Sequence, residues 1–266
     1  MDPRRALRPK KSFGQHFLVA PHAIRRIVEE TLGSAAESVV EIGPGPGVLT
    51  GPLLADGRPL LAVELDPEAC ALLEGRFGGI PHFRLLHGDA VSAPIPLPGT
   101  FAVAGNLPYN AATAILTRFL VRDPGWDRMV LMFQKEVGMK LMSRPGGKDY
   151  GPLSVLAQSA VAMTRLLVLG PGAFAPPPKV DSVVLRFDPR PAALPIADRQ
   201  PFLAFLHRAF AQRRKTLVNN LAGSAEPVRA LLEARRLSPA VRAEALDPAT
   251  LLDLFRALPT TGDARC

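Results

Sequence analysis

A chain of 266 residues that is 47% apolar can bury a sizeable core and divide into one large and one smaller domain, which excludes a disordered or fibrous protein. Lys and Arg number 32 against 24 Asp and Glu, and the formal net charge of +8 favours a polyanionic partner, either nucleic acid or an acidic membrane face. The two cysteines, Cys70 and Cys266, form no CxxC pair and stand in no Cys/His cluster, so neither a disulfide framework nor a metal site is expected.

Residues 1–20 read as a basic arm (Arg4, Arg5, Arg8, Lys10, Lys11) ending in Phe13-Gly14-Gln15-His16-Phe17-Leu18. No apolar stretch follows the charges, as a secretory signal would require. Nowhere does the chain run apolar for the roughly 18 residues of a membrane span. A cytoplasmic protein with no membrane partner is the economical expectation. The apolar residues from Phe13 to Leu18 do not belong in a free tail and are expected to lie over a pocket, with Gly14 allowing close backbone approach. Apolar positions at helical spacing follow in 21–32, with Pro21 suited to a helix start.

Ser38–Ile42 reads as the first strand, and Gly43-Pro44-Gly45-Pro46-Gly47 as a glycine-rich turn that enters a helix. A second strand, 60–63, ends at Glu64-Leu65-Asp66, a helix follows over 67–77, and a third strand, 83–86, ends at Gly88-Asp89-Ala90. The apolar run 101–104 is a fourth strand, 113–121 a helix, and 129–133 a fifth strand leading into another helix. Strands alternating with helices predict a parallel, doubly wound α/β sheet. A helix over 152–162 precedes two strands, 165–169 and 181–187, which flank Phe174-Ala175-Pro176-Pro177-Pro178-Lys179. Charge and proline at 188–191 mark a boundary. The expected division is a catalytic domain over 1–190 and a helical domain over 191–266, with helices near 199–211, 213–221, 226–235 and 248–257.

The chemistry centres on Asn106-Leu107-Pro108-Tyr109-Asn110, directly after the fourth strand. Pro108 fixes its own φ and keeps Leu107 out of the helical region, which makes a stiff, extended loop. Open α/β sheets keep their ligands at such strand ends. An aromatic amine such as adenine N6 is a poor nucleophile because its lone pair is delocalised into the ring. It needs acceptors for its hydrogens rather than a strong base. The Asn106 side-chain carbonyl and a backbone carbonyl at Leu107 or Pro108 can supply two, while Tyr109 can stack on the base. Glu64 is placed to accept ribose hydroxyls and Asp89 to accept an adenine amino group. Acid, acid and Asn-Leu-Pro-Tyr at successive strand ends resemble S-adenosylmethionine methyltransferases.

Eight motifs in order sharpen that resemblance: 13–18, 41–45, 64–66, 88–90, 106–110, Gln-Lys-Glu-Val (134–137), Phe-x-Pro-Pro-Pro-Lys-Val-Asp-Ser (174–182) and Arg-Arg-Lys-Thr-Leu (213–217). Over nearly its whole length the chain resembles the KsgA-type small-subunit rRNA adenine dimethyltransferases. The resemblance implies a Rossmann-like class I methyltransferase domain with a small C-terminal all-α domain that binds rRNA. It also implies that two adjacent adenosines of the 3′-terminal hairpin loop are each methylated twice, within a pre-30S particle, by an enzyme that uses S-adenosylmethionine; a monomer and metal-free in-line transfer are expected. Carried over position by position, it gives cofactor contacts at His16, Leu18, Gly43, Gly45, Glu64, Asp89, Ala90 and Asn106. Many members have Asn where His16 stands. The same resemblance assigns the flipped adenine to Tyr109 and Phe174, beside the Asn106-Leu107-Pro108 clamp, with Phe13 closing the site. RNA contacts are expected from Lys10, Lys11, Lys179, Arg213, Arg214 and Lys215, with Lys135 and Lys140 as further candidates. Rival readings are a large-subunit rRNA methyltransferase of the macrolide-resistance type, a ribosome-assembly factor acting by binding, a DNA adenine methyltransferase and, distantly, a nicotinamide oxidoreductase.

Overall fold

The computed structural model describes residues 7, 10, 15–122, 125–190 and 195–258. Contacts divide the chain into two compact units, the first comprising Met1–Phe119, Asp123–Gly138 and Ala162–Pro189.

That first unit carries a seven-stranded sheet: β2 (Ser38–Ile42), β3 (Leu60–Glu64), β4 (Phe83–His87), β5 (Phe101–Asn106), β6 (Trp126–Gln134), β7 (Val161–Leu169) and β9 (Ser182–Pro189). Across the sheet they run β4-β3-β2-β5-β6-β9-β7. The pairs β4–β3, β3–β2, β2–β5 and β5–β6 are parallel and β6–β9 is antiparallel. β2 and β3 are buried along their whole length, which is why they read as near-continuous apolar runs rather than alternating ones. A separate two-stranded ribbon pairs β1 (Phe17–Leu18) with β8 (Phe174–Ala175), Leu18 opposite Phe174.

Helices α1 (Pro21–Leu32) and α3 (Pro67–Phe77) each begin with proline, whose missing N–H belongs to the orphan donors of a first turn. The sheet changes winding direction between β2 and β5. Strand order reverses there, and the loops leaving the two strands open a crevice at their carboxyl ends. Gly105 sits in β5 because a Cβ there would come within 2.8 Å of the Ile42 carbonyl oxygen on β2. Neighbouring strands could not pair so closely with any other residue at that position.

The second unit comprises Leu120–Arg122, Met139–Val161 and Arg190–Cys266. The segment Met139–Val161, expected within the first domain, therefore groups with the C-terminal helices. The reason is helix α6 (Pro152–Ala160), whose buried Val155, Leu156 and Ala157 pack with α7 (Ile196–Ala209) and α10 (Pro248–Ala257). Phe202, Phe205 and Phe255 form the aromatic centre of this helical core, with ring centroids 5.2–6.1 Å apart. Among the described residues no helix is long and apolar enough to cross a membrane.

Candidate functional site

The β2 turn and the β5 loop face one cavity that is partly open to solvent. Gly43 and Gly45 line it from the turn, Glu64 from the end of β3, the segment from Asn106 to Ala111 from the loop, and Gln15, His16 and Phe17 from the arm. Gly43, Gly45 and Gly47 all have positive φ (+63°, +53° and +78°), a backbone conformation that side chains penalise. A Cβ on Gly45 would also meet the Phe17 ring at 3.1 Å, so the turn is close-packed as well as strained.

Glu64 fixes the turn. Its Oε2 accepts the Gly45 N–H at 2.9 Å, and its Oε1 accepts the N–H groups of Leu65 and Asp66 at 2.8 and 2.9 Å. Burial pushes the Glu64 carboxyl pKa up and outweighs the three N–H donors that favour its charged form. Oε1 already meets two donors, whereas Oε2 meets one and keeps capacity for a ligand hydroxyl.

Asn106 Nδ2 donates to the His16 carbonyl at 2.7 Å. That bond orients the amide and leaves Oδ1 as its acceptor. Of the two backbone carbonyls expected beside it, Pro108's already accepts the N–H groups of Ala111 and Ala112 at 3.0 and 2.9 Å, where the loop turns into α4 (Ala112–Val121). Leu107's carbonyl is the one the turn leaves over, while the Leu107 side chain is buried beneath it. Tyr109 stacks against the His16 ring, centroids 5.6 Å apart and planes 28° from parallel, and its hydroxyl pairs with Ser182 Oγ at 2.8 Å. Burial pushes the Tyr109 pKa up, so the hydroxyl keeps its proton. His16 Nδ1 lies 2.9 Å from the Pro176 carbonyl, which ties the arm to the proline-rich loop.

Other expected residues are placed differently. Phe174 does not line the cavity: it is 4% exposed and packs with Leu18 in the hydrophobic core, because the β1–β8 ribbon turns both side chains inward. Asp89 and Ala90 lie just beyond the end of β4 and outside the cavity lining. Asp89 is exposed, and its Oδ1 accepts the Val91 N–H at 2.8 Å. Arg118, on α4, donates to the Ala90 carbonyl at 2.7 Å and holds that loop. Lys10 does not present a free ammonium to RNA, since its Nζ pairs with Asp66 at 2.6 Å and Glu68 at 3.0 Å. Lys135 pairs with Asp181 at 3.0 Å. In the second unit Arg213 is bound to Glu244 at 2.7 Å and to the Gly147 and Lys148 carbonyls, while Arg214 and Lys215 are exposed, as is Lys179 in the first unit. Lys11, Phe13 and Gly14 lie outside the described residues.

Sequence reasoning gave no role to Ser182, Asp66 or Glu41, although all three stand inside the motifs quoted for the family. Glu41 is 2% exposed in the middle of β2, and its Oε2 has no hydrogen-bond partner among the described residues. Burial, helped by the Glu64 charge and offset in part by Thr50, pushes its pKa up from 4.5 to about 8. The folded chain thus holds this proton more tightly than the unfolded chain. The resulting stability is complete below about pH 4.5 and is lost as pH rises towards 8, at up to about 1.4 kcal/mol per pH unit. Glu41→Gln carries no charge to bury, so its melting temperature should gain on the parent's between pH 5 and pH 9. Melting curves that stay parallel over that range would rule this out.

The family model for ribosomal RNA adenine dimethylase matches residues 6–259. The chain belongs to that family. Within the dimethylase family it is 41% identical over 251 residues to a ribosomal RNA small subunit methyltransferase A of Synechococcus sp. (strain JA-3-3Ab), covering 90% of this chain and 89% of the relative. It is 42% identical over 249 residues to the protein of the same name from Xanthomonas axonopodis pv. citri (strain 306), covering 92% and 94%. Among solved structures, the fold matches a dimethyladenosine transferase from Plasmodium falciparum with a TM-score of 0.75 at 22% identity, covering 90% of this chain and 96% of that one. It also matches the 23S rRNA methyltransferase ErmE with a TM-score of 0.69 at 26% identity, covering 91% and 99%.

Proposed function

We propose that this dimethylase-family protein transfers methyl groups from S-adenosylmethionine to N6 of two adjacent adenosines in the 3′-terminal hairpin loop of small-subunit rRNA, two to each base. The observation that carries the reading is the cavity shared by the glycine turn and the Asn-Leu-Pro-Tyr loop, which brings a nucleoside-binding element and a set of amine-hydrogen acceptors to one place.

The residues present fit the cofactor. Two glycines of positive φ clear backbone space on one side, and Glu64 offers its Oε2 at the end of the adjacent strand, where ribose hydroxyls are bound in this class of sheet. S-adenosylmethionine supplies an electrophilic methyl group on a sulfonium. The chain supplies orientation and acceptors. Asn106 Oδ1 and the Leu107 carbonyl accept the two N6 hydrogens in the first transfer, and one of them accepts the hydrogen that remains in the second, which draws the amine lone pair out of conjugation and aims it at the methyl group. The N–C bond forms as the S–C bond breaks, and the displaced N6 proton leaves to water. Tyr109, held by His16 and Ser182, offers its ring to the base. Stacking of this kind contributes roughly 1–3 kcal/mol per base and offsets part of the cost of unstacking an adenosine from an unpaired loop. No covalent enzyme intermediate is required.

The dimethylase acts, on this reading, as a cytoplasmic monomer on a pre-30S particle, with Arg214, Lys215 and Lys179 on phosphates. Each phosphate contact adds roughly 0.7–0.9 to the slope of log affinity against log salt. Arg214→Ala and Lys215→Ala should therefore each flatten that slope by about one contact, whereas Lys10→Ala should leave it unchanged because its ammonium is spent on Asp66 and Glu68. Filter binding to small-subunit rRNA across a salt series reads this directly; a flatter slope for Lys10→Ala would return that residue to the RNA surface.

The likeness to ErmE keeps large-subunit rRNA as the rival substrate. Undermethylated small and large subunits incubated separately with labelled S-adenosylmethionine decide between them. Label confined to small subunits and mapped to the 3′-terminal loop supports the proposal. Label confined to large subunits overturns it in favour of the rival.

A further inference from the structure

Asp66 lies outside the cavity lining, is 1% exposed, and has a carboxylate more heavily engaged than a helix cap needs. Its Oδ1 accepts the Glu68 N–H at 3.0 Å, the ordinary capping bond for α3. That same oxygen accepts from Lys10 Nζ at 2.6 Å, and Oδ2, unused by the cap, accepts Gln15 Nε2 at 3.0 Å. Gln15 is held at its other end as well, its Oε1 accepting the Lys10 backbone N–H at 2.8 Å. The residue after Gln15 is His16, whose carbonyl receives the Asn106 amide at 2.7 Å. Asp66 also donates its own N–H to Glu64 Oε1 at 2.9 Å. One continuous set of bonds therefore links the acid at the nucleoside end of the cavity to the amide at its reacting end.

The orientation of that amide decides what Asn106 can do. With Nδ2 on the His16 carbonyl, Oδ1 is the free acceptor. Turned over, the amide would present N–H to a substrate amine that itself donates, and the two hydrogens facing each other would both lack an acceptor. The His16 carbonyl selects the productive orientation, and it can do so only while the arm is seated. A buried carboxylate with its charge met by Lys10 is suited to hold the arm, because removal of its partners leaves a charge without compensation. Burial raises the Asp66 pKa, but the bonds from Lys10 and Gln15 outweigh it and hold the group below its ordinary range, so it is charged wherever the enzyme works.

We propose that Asp66 is a positioning residue for methyl transfer: through Gln15 it seats the His16 carbonyl that fixes the Asn106 amide. The proposal rests on the reading of Asn106 as acceptor. Its test uses the full chain, undermethylated small subunits and S-adenosylmethionine, with three variants: Gln15→Ala, Asp66→Asn, and the exchange of both (Gln15→Glu with Asp66→Asn), which reverses donor and acceptor across the same bond. Misplacement of a reacting group by about 1 Å costs up to 100-fold, so kcat should fall on the order of 10- to 100-fold in each single variant, while cofactor affinity by calorimetry moves less than about threefold. The exchange should recover most of that loss. Wild-type kcat in Gln15→Ala would overturn the proposal, as would an exchange that rescues nothing, since Asp66 would then act only as the cap of α3. Gln15 is half-buried and caps no helix, so its variant carries the test even if Asp66→Asn folds poorly. Asn106→Ala turning over at the parental rate is a different result: it removes the acceptor reading itself, whatever Gln15 does.

Discussion

Asn106→Ala is expected to lower kcat by roughly 100- to 1,000-fold, the scale seen when one preorganised polar group is removed from a developing charge, while cofactor affinity changes only severalfold. The asymmetry follows from geometry. The amide stands between the arm and the Leu107 carbonyl, and its Oδ1 is the acceptor left over once Nδ2 is bound to the His16 carbonyl. Alanine leaves the glycine turn and the Glu64 bonds untouched, so the nucleoside end keeps its contacts. Single-turnover kinetics on undermethylated small subunits separate the methyl-transfer step from binding. An unchanged single-turnover rate would refute the acceptor role.

Glu64→Ala should act at the opposite end of the cavity and weaken cofactor binding by about 10- to 100-fold, since hydrogen bonds to a charged group contribute roughly 1.5–3 kcal/mol. Two losses combine. The ribose hydroxyls lose their acceptor, and the N–H groups of Gly45, Leu65 and Asp66 lose the carboxylate that gathers them. Glu64→Gln separates the two, because it keeps the shape but sets an NH2 where an oxygen meets a donor. Calorimetric titration of each variant with S-adenosylmethionine is the check. Unaltered affinity in Glu64→Ala would remove Glu64 from the ribose site.

The centre of the parallel sheet is legible because β2, β3 and β5 are buried on both faces. The buried strand at 38–42 and the apolar run at 101–104 end at Gly43 and Gly105, where the chain turns to the ligand side. Helices opening with Pro21, Pro67, Pro152 and Pro248 were legible for a similar reason: a proline at the first position both starts a helix and forbids its extension backwards. The Arg213–Lys215 stretch was not. Read as the start of a helix, it stays in a turn because Thr216 caps α8 (Leu217–Asn220) by accepting the Asn219 N–H, and because Arg213 is drawn to Glu244 and to the Gly147 and Lys148 carbonyls. Nothing local in the sequence signals a partner more than 30 residues away.

The same limit divides the site. Asn106, Tyr109, Gly43, Gly45 and Glu64 line one cavity and are legible in the sequence because each sits at or just after a strand end, where local pattern and topology agree. Phe174 is assigned to a base only by the family resemblance. Its burial comes instead from the two-residue pairing with Leu18, an element too short to leave a periodic signal. The Pro108 carbonyl was equally open to the sequence and is closed only by the first turn of α4. Asp66 showed as one letter of a motif, because its partners Lys10 and Gln15 are 56 and 51 residues away.

The most direct test of the carbonyl clamp is a crystal structure of the protein with an unreactive cofactor analogue and an adenosine-containing oligonucleotide. Adenine N6 is expected at about 2.7–3.2 Å from both Asn106 Oδ1 and the Leu107 carbonyl oxygen, with the analogue seated against Gly43, Gly45 and Glu64. An adenine whose amine is turned away from Asn106, or an analogue bound outside the cavity of the glycine turn, would contradict it.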